Sequence, residues 1–384
     1  MRKLEVVGCD GTLTNAGWKN GVINRIENHV GRPVQWSICL LHFNELPFRH
    51  IFQNIDGQTA RPKCFSGSIG QQLTCYEKLP VVDYEPIHCS IPDTDRNLLS
   101  KDQQYLLDIS NAITLGHCSE DLANRYPGSL LHSRWLTAAN RVLRLYTSPS
   151  YPSGNLKEIV GFILESYMPV WFEIKKSKYF TDRPKHVFQA IQTSRYLSDE
   201  LLQVVDPVMQ LNAFFEHPEN VLLAILVDER EHIRELGYRR ILKARQIVPK
   251  KKTVRNFVPP KINIQASDYV EIINWNSCVV YPPPMLRDLS EDDIKSLINS
   301  DTTPIREIQK FSCHTQAVEW CVKLVTEASN KLTGVNLPEY EKHGSECCPS
   351  DLTEMLGFYG KYCPSGNPTT KSRSGERGGH AAGK

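Results

Sequence analysis

The residues that could do chemistry are few and far apart. Asp10 stands at the end of a β-rich opening, in Gly8-Cys9-Asp10-Gly11-Thr12-Leu13. Glu319 closes Cys313-His314-Thr315-Gln316-Ala317-Val318-Glu319 on a predicted amphipathic helix over 315–332. Two carboxylates brought to one place can hold divalent ions that activate an attacking oxygen and stabilise a leaving one. Cys39 and His42 have a metal-ligand spacing. Two ligands do not complete a tetrahedral zinc site, so no zinc site is expected and a buried thiol with a core histidine is the simpler reading. Arg134 and Trp135 stand together at 134–135, and Trp135 shares a helical stripe with Ala138, Ala139 and Val142, ordinary core spacing. The run 239–261 holds nine Lys/Arg and no Asp or Glu, including Lys250, Lys251 and Lys252. Such a run attracts phosphate, and each phosphate it neutralises steepens the salt dependence of binding.

The elements that must position these groups follow from periodicity. Residues 4–9 read as a buried strand broken by Asp10-Gly11, 19–29 as a helix and 34–39 as a second strand. A helix over 40–52 is expected to be interrupted near Pro47, followed by a loop at 56–70 and a short strand at 79–84 that carries Asp83. From about residue 98 the pattern turns helical: 102–115 behind a Ser100/Gln103 capping box, then 131–146, 156–168, 197–215 and 220–246. Residues 262–280 read as extended or mixed, and Ser290 with Asp293 caps a helix over 291–299. His217-Pro218-Glu219 reads as a helix start, with Pro and Glu in the first turn. After 335 the periodicity fades, and 364–384 is expected to be disordered.

Two resemblances attach to these residues. Asp10-Gly11-Thr12-Leu13 resembles the opening motif of haloacid-dehalogenase-like phosphatases, but the nucleophile position holds Gly8, which cannot form a phospho-enzyme. The chain as a whole is more similar to hAT-type DNA transposases and to a family of invertebrate transposon products. The shared blocks are Asp10-Gly11-Thr12, Cys39-Leu40-Leu41-His42 with Asn44-Glu45-Leu46-Pro47, His132-Ser133-Arg134-Trp135-Leu136-Thr137, Asn212-Ala213-Phe214-Phe215-Glu216-His217-Pro218-Glu219, and the segment ending in Glu319. The resemblance spans about 1–335. It implies a mainly α protein with a partial α/β RNase H-like core, interrupted by a large all-α insertion domain. The segments would be 1–95 (partial core), 96–247 (insertion), 248–335 (basic linker and core helix) and 336–384 (disordered tail).

The resemblance also implies roles. Asp10 and Glu319 would be catalytic ligands for Mg²⁺ or Mn²⁺ in DNA cleavage and strand transfer. Trp135 would stack on a flipped base beside Arg134, and Cys39 and His42 would buttress the core or touch DNA. The first metal-binding Asp of such transposases lies well upstream of the Asp10 position, and this sequence starts nine residues before Asp10. The expectation is therefore a catalytically incomplete, truncated transposase relative; Asp83 is a substitute ligand that the family pattern does not support. The alternative is a noncatalytic nuclear DNA-binding or protein-interaction remnant using the basic run 239–261, which includes Lys250, Lys251 and Lys252. Expected partners are DNA and, in assembly, further copies of the chain as a homo-oligomer.

Composition bounds the rest. The 384 residues carry 45 Lys+Arg against 43 Asp+Glu, a net charge of +2, so any affinity for nucleic acid must be local. The longest apolar run, 221–227, is far short of the roughly 20 residues a membrane span needs. The opening residues do not form a secretory signal, and the twelve cysteines include no CxxC, so reduced intracellular thiols are expected.

Overall fold

The computed structural model describes residues 4–299 except 10, 12, 18–19, 62–63, 76–78, 131–134, 178–179, 214–216, 247–259, 279 and 281–283. The protein is mainly helical, with a small two-stranded parallel sheet. The chain opens with β1 (Val6–Cys9), α1 (Leu13–Ala16), α2 (Val22–Val30) and β2 (Gln35–Ile38). α2 ends where Gly31 takes up the left-handed region (φ 69°), and its N–H donates to the Glu27 carbonyl. β1 and β2 pair in parallel, Val6 with Gln35 through Cys9 with Ile38. Parallel neighbours need a crossover, and 10–34 supplies it.

α3 (Leu40–Asp56) follows without a break at Pro47. The sequence predicts an interruption there, and the structure corrects it. Pro47 is buried with Phe43, Phe48, Ile51 and Phe52 on the apolar face, and that burial outweighs one lost backbone bond. The predicted 56–70 loop contains a short antiparallel ladder, β3 (Thr59–Arg61) with β4 (Cys64–Phe65), and the start of α4 (Ser68–Gln72). The Asp56 carboxylate caps α4, accepting from Ile69 N–H at 2.8 Å and Gly70 N–H at 2.6 Å. The predicted strand at 79–84 forms no ladder. Residues 79–95 instead run as an irregular strap over the helices.

The helical part comprises α5 (Lys101–Leu115), α6 (Glu120–Asn124), α7 (Trp135–Tyr146), α8 (Gly154–Phe162), α9 (Met168–Lys176), α10 (Arg183–Thr193), α11 (Asp199–Ala213), α12 (Pro218–Leu226), α13 (Glu231–Gln246) and α14 (Glu291–Asn299). The predicted capping residues are in place: Ser100 N–H donates to Gln103 Oε1 at 3.0 Å and Ser290 N–H to Asp293 Oδ2 at 2.9 Å. A wide π-turn, Ile163–Tyr167, joins α8 to α9. There the Tyr167 carbonyl accepts from Asn44 Nδ2 of α3 at 2.9 Å.

The predicted single helix over 220–246 is two helices. After Leu226 the chain turns at Asp228, whose Oδ1 accepts from Arg230 N–H at 2.9 Å.

One hydrophobic core joins α3 to the later helices, with Phe48, Phe52, Tyr105, Leu143, Ile163, Trp171 and Val205 all buried in it. A smaller cluster packs α12 on α13 and α14 through Leu222, Leu226, Ile241 and Ile294. A third, with Ile23, Trp36 and Ile38, joins α2 to the strand pair. Residues 260–278 return across the helices as turns, with one antiparallel bridge between Ile262 and Ile273.

Candidate functional site

The β1–β2 register makes both strands finish together. Cys39 N–H donates to the Cys9 carbonyl at 2.9 Å, and Cys39 is the cap from which α3 starts. Two parallel carboxyl ends beside a helix N-terminus are where open α/β sheets place ligands. Cys39 is buried there and His42 is half-buried one turn along α3.

The two faces of β2 differ sharply. On one, Trp36 and Ile38 meet α2. Glu27 of α2 is buried on this side and accepts from Trp36 Nε1 and Val34 N–H, both at 3.0 Å. Burial raises its carboxyl above the usual range, and these two hydrogen bonds pull it back in part. The opposite face is polar. Gln35 donates to Asn220 Oδ1, Asn220 Nδ2 donates to the Trp36 carbonyl at 3.5 Å, and Arg183 Nη1 lies 3.5 Å from Ser37 Oγ. Gln35, Ser37, Arg183, Glu219 and Asn220 are all buried.

α12 anchors this layer. His217 caps it, its Nδ1 accepting from Glu219 N–H at 3.2 Å, so the neutral tautomer carries its proton on Nε2. Burial pushes the imidazole down to about 4. Glu219 Oε1 accepts from Met285 N–H at 2.7 Å and Leu286 N–H at 2.9 Å, tying the returning chain to the helix start. Polar groups at this depth cost free energy unless bonded. Bonded, they fix how the strand pair sits on α10 and α12. The layer holds the strand pair against the two helices, and Glu219 Oε1 is engaged by backbone amides. Sequence reasoning read His217-Pro218-Glu219 correctly as a helix start but missed the layer. The signal was there: Glu219 and Asn220 open a helix that is otherwise apolar from Val221 to Leu226.

The predicted site residues fare differently. Asp10, Glu319, Arg134, Lys250, Lys251 and Lys252 lie outside the described residues. Asp83 is exposed on the strap rather than on a strand. Trp135 starts α7 at 7% exposure, edge-on to Phe48 (centroids 5.4 Å apart) and Phe52 (5.6 Å). Its indole is part of the core packing. Cys75, Cys89, Cys118 and Cys278 are free thiols. Among the described residues, no group of three or more His, Cys, Asp or Glu could hold a metal ion.

The basic run is partly committed to the fold. Arg240 lies over the Trp275 ring at 4.5 Å and donates to the Val270 carbonyl at 3.2 Å. Arg245 donates to the carbonyls of Leu286 and Leu289, the latter at 2.7 Å. Of the run's described members, Arg239, Lys243 and Lys261 are exposed, with Arg239 3.2 Å from Glu235. Among the described residues no helix is long and apolar enough to cross a membrane. Compared with known proteins, the chain matches no family model, no curated protein and no solved structure.

Proposed function

We propose that the chain is a hAT-like, transposase-derived protein that binds DNA in the nucleus and is incomplete as a catalyst on its own. The observation that carries the reading is the parallel β1–β2 pair whose carboxyl ends finish together beside the start of α3, at the Cys39-Leu40-Leu41-His42 block. A strand pair of this kind with a large helical mass is what a partial RNase H-like core with an insertion would leave. The motif blocks at Asp10, at His132-Ser133-Arg134-Trp135 and at Glu319 support the same reading.

In the ancestral reaction, Asp10 and Glu319 would ligate Mg²⁺ or Mn²⁺ for phosphodiester cleavage and strand transfer. Two carboxylates offer too few protein ligands to an ion that prefers octahedral oxygen coordination, hence an incomplete catalyst. The phosphatase reading remains the weaker one, because Gly8, in register with Ser37, brings no carboxyl to β1.

Plasmid nicking with Mn²⁺ and DNA retention over a salt series test the proposal together. Retention is expected to fall steeply with salt and to drop when Lys250, Lys251 and Lys252 are changed to Gln, while nicking stays at the level of Asp10→Ala. Retention indifferent to the lysine changes would remove the DNA-binding part. Nicking lost specifically in Asp10→Ala and Glu319→Ala would show a complete nuclease instead.

A further inference from the structure

The strap at 79–95 is tied down unevenly. Its first half is bonded to the helices: Arg144 Nη2 donates to the Leu79 carbonyl at 2.7 Å, Val82 N–H to the Thr147 carbonyl at 3.1 Å, and Tyr146 Oη to the Glu85 carbonyl at 2.8 Å. Tyr84 Oη donates to the Ala112 carbonyl at 2.8 Å, and Lys157 pairs with Glu85 at 2.7 Å. Beyond Pro86 the bonding changes. Ile87, Cys89 and Ile91 are half-buried against the helices, while His88 and Ser90 between them are exposed. That alternation is the period of an extended strand. Cys89 Sγ lies 3.2 Å from Thr114 Oγ1 of α5, which keeps this stretch on the C-terminal end of the helix. Yet among the described residues no backbone N–H or carbonyl of 87–91 has a protein partner.

A lone strand with its apolar side on a helix and its backbone open is half of a two-stranded ladder. Pairing with an added strand supplies the missing backbone bonds, and the helix beneath supplies the support that an isolated pair lacks. The charge around it selects the partner. Residues 79–95 hold four carboxylates (Asp83, Glu85, Asp93, Asp95) and no Lys or Arg, and Asp83 and Asp93 are exposed at either side of the open stretch. Exposed Leu115, at 78%, adds apolar surface at the end of α5 near Pro86, which lies 3.5 Å from a Cβ built on Gly116.

We propose that residues 87–91 are a docking strand for an extended peptide segment that alternates basic and apolar side chains. Pro86 and Pro92, which lack N–H groups, bound the ladder and limit it to this short stretch. The geometry makes backbone bonds the source of affinity and the flanking carboxylates the source of selectivity.

The test uses the full chain with two synthetic seven-residue peptides, one alternating lysine with valine and one alternating glutamate with valine. The lysine peptide is expected to bind, to slow hydrogen exchange at 87–91 and to weaken as salt is raised; the glutamate peptide is expected not to bind. Ser90→Pro and His88→Pro remove outward positions' N–H groups without touching the packed side chains. At least one should weaken binding about tenfold, roughly the loss of one backbone hydrogen bond, while Ser90→Ala binds like the unaltered chain. Thermal unfolding of each variant separates loss of binding from loss of fold. Equal binding of the two peptides, no binding of the lysine peptide, or amides at 87–91 already protected in the free chain would each overturn the proposal.

Discussion

His217 shows how a single buried group sets a pH dependence. Burial holds its imidazole at about 4, below the ordinary value of 6.5. Between those values the unfolded chain binds the proton and the folded chain does not, so stability falls as pH drops from 6.5 toward 4. The shift corresponds to about 3 kcal/mol. His217→Asn keeps a capping acceptor at the start of α12 and should flatten urea-measured stability across that window; an unchanged slope would assign the titration elsewhere. Asp228 acts in a separate window. Burial pushes its carboxyl up, but hydrogen bonds from Arg230 and from Tyr269 Oη, the latter at 2.6 Å, outweigh that and hold it at about 2. Its contribution is complete above the unfolded value near 3.8 and is lost as pH falls through 2. Asp228→Asn should therefore remove stability at pH 7 and leave less to lose between 3.8 and 2. Neither value was legible in the sequence, because depth and bonding partners come from distant segments. What could be read was local, such as the capping pairs at Ser100 and Ser290 and the helix start at His217.

The elements show where periodicity suffices and where it fails. α5 and α14 follow their predicted spans and caps closely, whereas α2 starts three residues later than its apolar spacing predicts. The break between α12 and α13 was hidden because the apolar run at 221–227 reads straight into the next helix, while the turn is made by one side chain, Asp228. The two helices then pack closely. A Cβ built on Gly237 of α13 would meet Ile225 Cγ2 of α12 at 2.6 Å. Helix propensity alone predicts that Gly237→Ala stabilises α13 by about 1 kcal/mol. Overpacking costs typically about 1–3 kcal/mol, and the close approach decides the sign. Gly237→Ala should lower the unfolding midpoint, whereas Gly161→Ala in α8, with nothing within 4 Å of the added carbon, should raise it. A stabilised Gly237→Ala would show that Ile225 gives way to the added methyl and that helix propensity decides the sign.

At the scale of the whole molecule, the strand pair and the helical part are read from different signals and joined by α3. The sequence shows the strand ends, the helices and the residues that open α12, but it does not say which of them touch. The polar layer beneath β2 unites positions 35–37, 183 and 219–220, a combination that no local pattern announces. α3 is more telling, because it follows β2 directly yet packs along α11 and against α7, α8, α9 and α10. Its Leu40, Phe43, Phe48, Ile51 and Phe52 are all buried. At about 1.5–3 kcal/mol for each such side chain, exposing the five forfeits on the order of 10 kcal/mol, comparable to the whole stability of an ordinary domain. A peptide spanning 1–95 should therefore lack a cooperative unfolding transition and exchange its α3 amides rapidly. Those same amides should be among the slowest to exchange in the full chain. A cooperative transition in the 1–95 peptide would show that the strand pair and α3 form a nucleus of their own, and that the later helices are added to it rather than required by it.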